Sequence, residues 1–306
     1  MTRLYAHTVR LKLETGNEVE AFVRIAANGI ERPRCLLLHG NPGSLLDWEQ
    51  LLPLLAGVAD IALIDLPGFG KSGRVGADPE FMSLDRLAEY TIAAANALGW
   101  REPIFLVGHS HGGGVAQAAA AQYPGRVAGL VLIGTLGATA HASYRLLTLP
   151  GAAAVARAVG RMFRFELLRP LNRAILRAVM ADIFSPEPVL SEKLEHELSS
   201  LSSRPEILVS MVHVTLGRPC RQLSSSASAI RCPVLFVHGR EDALVPARGA
   251  RLIHERILSA GGRSQFQIVP GGHLLINYQA SELAKLVIEH LRNSMNTAIG
   301  NQQVGQ

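Results

Sequence analysis

The stretch Pro103-Ile-Phe-Leu-Val-Gly-His-Ser-His-Gly-Gly-Gly-Val-Ala-Gln117 decides the reading of this chain. Pro103 to Val107 is a short continuous apolar run, the signature of a buried strand. Gly108-His109-Ser110-His111-Gly112 then turns sharply, and from Gly113 an alanine-rich run predicts a helix. A G-x-S-x-G pattern has meaning in this strand–turn–helix context, because the turn lifts the serine hydroxyl above the sheet edge beside a helix N-terminus. Gly108 and Gly112 are expected to be glycine because a side chain at either would collide across the turn.

The rest of the 306-residue chain alternates strands and helices outward from that turn. Residues 3 to 25 alternate apolar and polar on both sides of Thr15-Gly16-Asn17, which predicts an antiparallel hairpin. Cys35 to Leu38, Ile61 to Ile64 and Leu130 to Ile133 read as buried parallel strands. Pro233 to Val237 and Phe266 to Val269 read as two further strands. Helices are predicted from about Leu45, with Trp48, Leu51, Leu52 and Leu55 at helical spacing, and over 84–98, 247–259 and 281–291. From about Ala138 to Ala229 the strand signal stops, and helical stretches divided by prolines take over. The alternation implies a mostly parallel α/β sheet covered on both faces. An all-helical insertion after the strand at about 130–133 lies where such sheets bind ligands. The expected division is a core of 1–137 and 230–292, a helical cap of 138–229, and a polar tail, 293–306, expected to be disordered.

Composition excludes some functions. The net charge is +5, but the arginines are scattered and aromatics are 5%, so a nucleic-acid surface is not expected. Cys35, Cys220 and Cys232 have no metal-ligand spacing and are expected to be reduced thiols. No apolar leader is seen in MTRLYAHTVRLKLE, and the longest apolar run is too short for a bilayer, so a soluble, cytoplasmic protein is expected. Gly70-Lys71-Ser72 fails as a phosphate loop because the required first glycine is Asp65, and Gly112-Gly113-Gly114 lacks dinucleotide-binding spacing.

A serine hydroxyl needs a base to take its proton and a carboxylate to orient that base. Asp242 follows the strand at 233–237 and His273 follows the last strand. Both positions, like Ser110, are loops beyond C-terminal strand ends, so the fold can converge them. Glu241 is the nearest rival acid, one position off. The oxyanion of a tetrahedral intermediate needs donors. The backbone N–H of His111 and that of Asn41, in the loop opened by His39-Gly40, are the candidates, since Pro42 has no N–H. His109 is expected to pack under the sheet and the His111 ring to line the pocket wall.

The pieces HGNPGS, DLPGFGKS, GHSHGG, GREDALVP and GGH, in this order over residues 35–291, resemble the α/β-hydrolase fold family, capped branch. The resemblance implies a Ser110–His273–Asp242 triad, an oxyanion hole at Asn41 and His111, and no metal or organic cofactor. His39-Gly40-Asn41-Pro42 is similar to the corresponding loop of haloalkane dehalogenases, but those use an aspartate nucleophile. Ser110 points instead to esters, thioesters, lactones or carbon–carbon bonds beside a carbonyl. Cleavage of a carboxylic ester is the leading expectation, with a carbon–carbon hydrolase, a thioesterase or acyltransferase, or a non-catalytic ligand receptor as alternatives. In the cap, Arg157, Arg161 and Arg164, then Arg173 and Arg177, recur at helical steps beside Val155, Val159, Met162, Phe165, Leu168, Ile175, Leu176 and Val179. The expected partner is a small hydrophobic substrate. A lipid or acidic carrier-protein contact through the basic face is the lesser expectation.

Overall fold

The computed structural model describes residues 3–14, 18–27, 32–73, 79–139, 149–184, 191–216 and 219–303. Its centre is an eight-stranded sheet ordered β1-β2-β4-β3-β5-β6-β7-β8. Strands β1 (Arg3–Lys12) and β2 (Glu18–Ala27) form the antiparallel hairpin, with Val9 opposite Ala21. Its expected turn at 15–17 lies outside the described residues. β2 also runs antiparallel to β4 (Asp60–Ile64). The remaining neighbours pair in parallel: β3 (Arg34–Leu38), β5 (Ile104–His109), β6 (Val127–Ile133), β7 (Val234–Gly239) and β8 (Ser264–Val269).

The apolar runs of the central strands are continuous because both faces are covered. Successive side chains alternate between two cores. Leu36, Leu38, Leu106, Leu130 and Leu132 join one face with α2 (Leu84–Ala97), α3 (His111–Gln122) and α9 (Ala247–Ser259). Cys35, Leu37, Val107, Val131 and Ile133 join the other with α1 (Leu52–Leu55), α10 (Leu275–Tyr278) and α11 (Ala280–Gln303). Each fully buried Leu or Val contributes roughly 1.5–3 kcal/mol of transfer free energy, which makes these strands the rigid platform for the loops at their C-terminal ends.

One expectation is corrected. The helix predicted from Leu45 is two pieces, a 3₁₀ turn over Leu45–Trp48 and α1. Ser44 caps the first, and Pro53, lacking an N–H, sits in the first turn of the second. Trp48, Leu51, Leu52 and Leu55 are still all buried. The last helix, α11, runs from Ala280 to Gln303. Leu283, Val287 and Leu291 are buried at steps of four, and Met295 continues the stripe against the same core.

Between β6 and β7 the described residues hold helices and no strand: α4 (Ala152–Met162), α5 (Arg169–Phe184), α6 (Ser191–Ser203), α7 (Ile207–Leu216) and α8 (Pro219–Ser226). The three cysteines are unbridged. Among the described residues, no helix is long and apolar enough to cross a membrane.

Candidate active site

Ser110 stands between β5 and α3 with φ 52° and ψ −116°, a positive φ that among the described residues only glycines otherwise adopt. Such a conformation costs about 1–3 kcal/mol and persists only where its surroundings over-determine it. Here the Ser110 N–H donates to the Ile133 carbonyl at 3.0 Å, and its own carbonyl accepts from Leu136 at 3.1 Å. The flanking glycines are required by space. A Cβ on Gly108 would lie 2.5 Å from the Gly112 oxygen, and one on Gly112 would lie 2.2 Å from that of Leu38.

The loops after β7 and β8 bring the other two candidates to this turn. His273 Nε2 lies 3.0 Å from Ser110 Oγ, and His273 Nδ1 lies 2.8 Å from Asp242 Oδ2. All three side chains are buried. Burial pushes the Asp242 carboxyl upward, but hydrogen bonds from His238 and His273, the nearby His273 ring and the Val245 N–H outweigh it. They hold the acid well below the ordinary carboxylate range. An ionised Asp242 accepts from Nδ1–H, which leaves Nε2 as the acceptor facing the serine hydroxyl.

Asn41 lies just beyond β3 and borders the same cavity as His273. His111 opens α3, where the first N–H groups of a helix have no intrahelical acceptor. His39 ties the Asn41 loop down: its Nδ1 donates to the Gly40 carbonyl at 2.8 Å, and its Nε2 accepts from the Leu66 N–H at 2.9 Å. Gly40 passes so close to the elbow that a Cβ there would lie 3.2 Å from the His109 ring and 3.3 Å from Ser110 Cβ.

The expected places of the two flanking histidines are exchanged. His109 borders the cavity and bonds the His273 backbone, whereas the His111 ring is fully buried, with neither ring nitrogen partnered. Period-two alternation explains His109: as the last residue of β5 it follows Gly108 on the opposite face, toward the His273 loop. Glu241, the rival acid, turns away and accepts the Gly271 N–H at 2.6 Å, bracing the loop that carries His273. A contributor the sequence reading missed is His238, whose Nε2 donates to the Val245 carbonyl at 2.6 Å and lies 3.4 Å from Asp242 Oδ2. Its only sequence signal was its place at a C-terminal strand end. The Gly70-Lys71-Ser72 turn is structural: the Lys71 N–H donates to Asp65 Oδ2 and the Ser72 hydroxyl to the Asp65 carbonyl.

A cavity of about 230 Å³ opens beside His273. Helices between β6 and β7 supply much of its wall, through Val159, Phe163, Ile175, Leu176, Met180 and Met211, with Leu244 and Leu274 from the core loops. Among its polar members are Asn41, Asp47, His109 and His273.

The model of the alpha/beta hydrolase fold family matches residues 33–277, and the chain belongs to that family. It is 28% identical over 275 residues to 2-hydroxymuconate semialdehyde hydrolase of Pseudomonas sp. (strain CF600), covering 86% of this chain and 88% of that protein. It is 29% identical over 230 residues to the pimeloyl-[acyl-carrier protein] methyl ester esterase of Aeromonas hydrophila, covering 74% and 84%. Among solved structures, a thermophilic esterase from Thermogutta terrifontis superposes with a TM-score of 0.71 at 26% identity, covering 94% of this chain and 99% of that one.

Proposed function

We propose that this protein is a serine hydrolase that cleaves a carboxylic ester of a small hydrophobic molecule. The observation that carries the reading is the chain of contacts from Ser110 Oγ to His273 Nε2 at 3.0 Å and from His273 Nδ1 to Asp242 Oδ2 at 2.8 Å. His273 takes the Ser110 proton on Nε2 as Oγ attacks the substrate carbonyl, and Asp242 stabilises the imidazolium. The N–H groups of Asn41 and His111 donate to the developing oxyanion. Collapse of the tetrahedral intermediate breaks the ester bond, and the leaving alcohol takes the proton from Nε2. Water, deprotonated by the same nitrogen, then attacks the acyl-serine; the acid departs and Oγ regains its proton.

Residues 138–229 act as a cap over a core of 1–137 and 230–292, a division supported by the helical walls of the cavity. The apolar lining supports a hydrophobic acyl or alkyl group, and the modest volume a small one. The relatives named as an esterase and a methyl ester esterase support the ester, while the hydrolase of 2-hydroxymuconate semialdehyde supports a carbon–carbon bond as second choice. Three unbridged cysteines fit the reducing cytoplasm.

The test is labelling with a fluorophosphonate probe followed by turnover on p-nitrophenyl esters, lactones, thioesters and a vinylogous diketone. Labelling abolished by Ser110→Ala, with ester turnover leading the panel, is expected. An unlabelled wild-type protein overturns the serine nucleophile, and diketone cleavage without ester cleavage overturns the choice of bond.

A further inference from the structure

The outer surface of α4 and α5 carries more apolar area than a wet protein face requires. Of the fourteen large apolar side chains that are exposed among the described residues, eight lie between Leu149 and Ile175. On α4, Val155, Val159 and Met162 follow one another at steps of four and three and are all exposed. Arg157, Arg161 and Arg164 repeat the same steps two positions on, which sets an exposed basic stripe around the helix from the apolar one. The inward side of the same helix is at Gly160, where a Cβ would lie 2.6 Å from the Pro205 carbonyl oxygen. Beyond α4 the connection to α5 projects Phe165, 61% exposed, and Leu167, 92% exposed.

Two further observations say what covers this face. Arg169 and Arg173 are engaged by Glu166 and Glu195, but Arg157, Arg161, Arg164 and Arg177 have no carboxylate partner among the described residues. Four unneutralised guanidinium groups on the same helical segment as an apolar stripe complement an anionic surface that also offers hydrocarbon. A second copy of the chain would bring arginine against arginine across a two-fold interface. The stripe is also continuous with the candidate site, since Val159 and Ile175 are exposed and line the cavity beside His273.

We propose that the outer face of α4 and α5 docks on an anionic lipid bilayer, with Phe165 and Leu167 as the inserted tip and the arginines on the lipid phosphates. In this position the cavity mouth at Val159 and Ile175 faces the hydrocarbon, so an apolar substrate passes from the bilayer into the site without crossing water. The docking goes beyond the hydrolase reading and does not need it, because binding is measured apart from turnover.

Co-sedimentation of the full chain with phosphatidylcholine vesicles, with and without phosphatidylglycerol, tests it. The wild-type protein is expected to bind the phosphatidylglycerol vesicles, to release them as salt rises, and to bind equally well as Ser110→Ala. At roughly a factor of five per arginine, the Arg157→Gln, Arg161→Gln, Arg164→Gln triple variant loses on the order of 100-fold in partitioning. Phe165→Ser with Leu167→Ser is expected to lose binding at low salt as well, while retaining the wild-type melting temperature and turnover of a water-soluble ester. The proposal is overturned if the wild-type protein ignores both vesicles, or if the folded variants bind as it does. It is equally overturned if Phe165→Ser with Leu167→Ser converts a dimer to a monomer, or if the face captures an acidic acyl carrier protein but no vesicle.

Discussion

The ring of His109 donates from Nε2 to the backbone carbonyl of His273 at 2.9 Å, so the residue before the candidate nucleophile holds the backbone of the candidate base. The rings lie 4.8 Å apart. Burial first, and the neighbouring His273 second, push the His109 pKa down to about 3, so the ring is neutral and its one N–H is committed to that carbonyl. His109→Ala is expected to lower kcat on the order of tenfold with KM little changed, because the base is less well oriented. His109→Gln, which keeps a donor at similar reach, is expected to recover part of that loss. Equal losses in the two variants would refute the positioning role.

Asp242 supports the imidazolium that forms during the proposed reaction. Asp242→Asn keeps the shape but offers an amide that can present its N–H to Nδ1, which favours the unproductive tautomer of His273. A fall in kcat of roughly 10⁴-fold is expected from that exchange, with the protein still folded. Ester turnover within tenfold of wild type would transfer the role to another acid.

His111 is a stability liability with a pH signature. Burial, then the nearby His39, pushes its pKa from 6.5 down to about 3. The unfolded chain therefore takes up a proton that the fold refuses, so stability is greatest above pH about 6.5 and falls as pH drops toward 3. His111→Met removes two unpartnered buried nitrogens and keeps the backbone N–H proposed for the oxyanion hole. Thermal or urea unfolding should show a gain of about 1–3 kcal/mol and a shallower loss in acid, with ester turnover retained. Loss of turnover despite a stable fold would mean that the ring, not the amide, serves the reaction.

The cavity wall sets chain length in the proposed reaction. Met180 is buried and lines the pocket. Met180→Trp is expected to raise KM for p-nitrophenyl octanoate on the order of tenfold and to leave the acetate ester little affected. An unchanged ratio of the two esters would show that the acyl group lies elsewhere.

Much of the architecture was legible in the chain because its rules are local. Continuous apolar runs such as Cys35 to Leu38 announce strands covered on both faces, and the tight turn at Ser110 tolerates little but glycine at 108 and 112. The helix from Leu45 differs from its reading for a local reason too. Apolar spacing marks burial without requiring an unbroken helix through Pro53.

The amino-acid sequence by itself determined the strand–helix alternation, the strained serine turn, and the candidate serine, acid and histidine at three strand ends. Tertiary structure alone decided that these ends meet, that His109 rather than His111 faces the cavity, that Glu241 braces a loop, and that His238 approaches Asp242. The physical reason is range. Strand and turn formation depend on neighbours a few residues away, whereas the direction of a side chain at a loop or strand end depends on what distant segments pack against it, as Ser110 and His273 do across 163 positions.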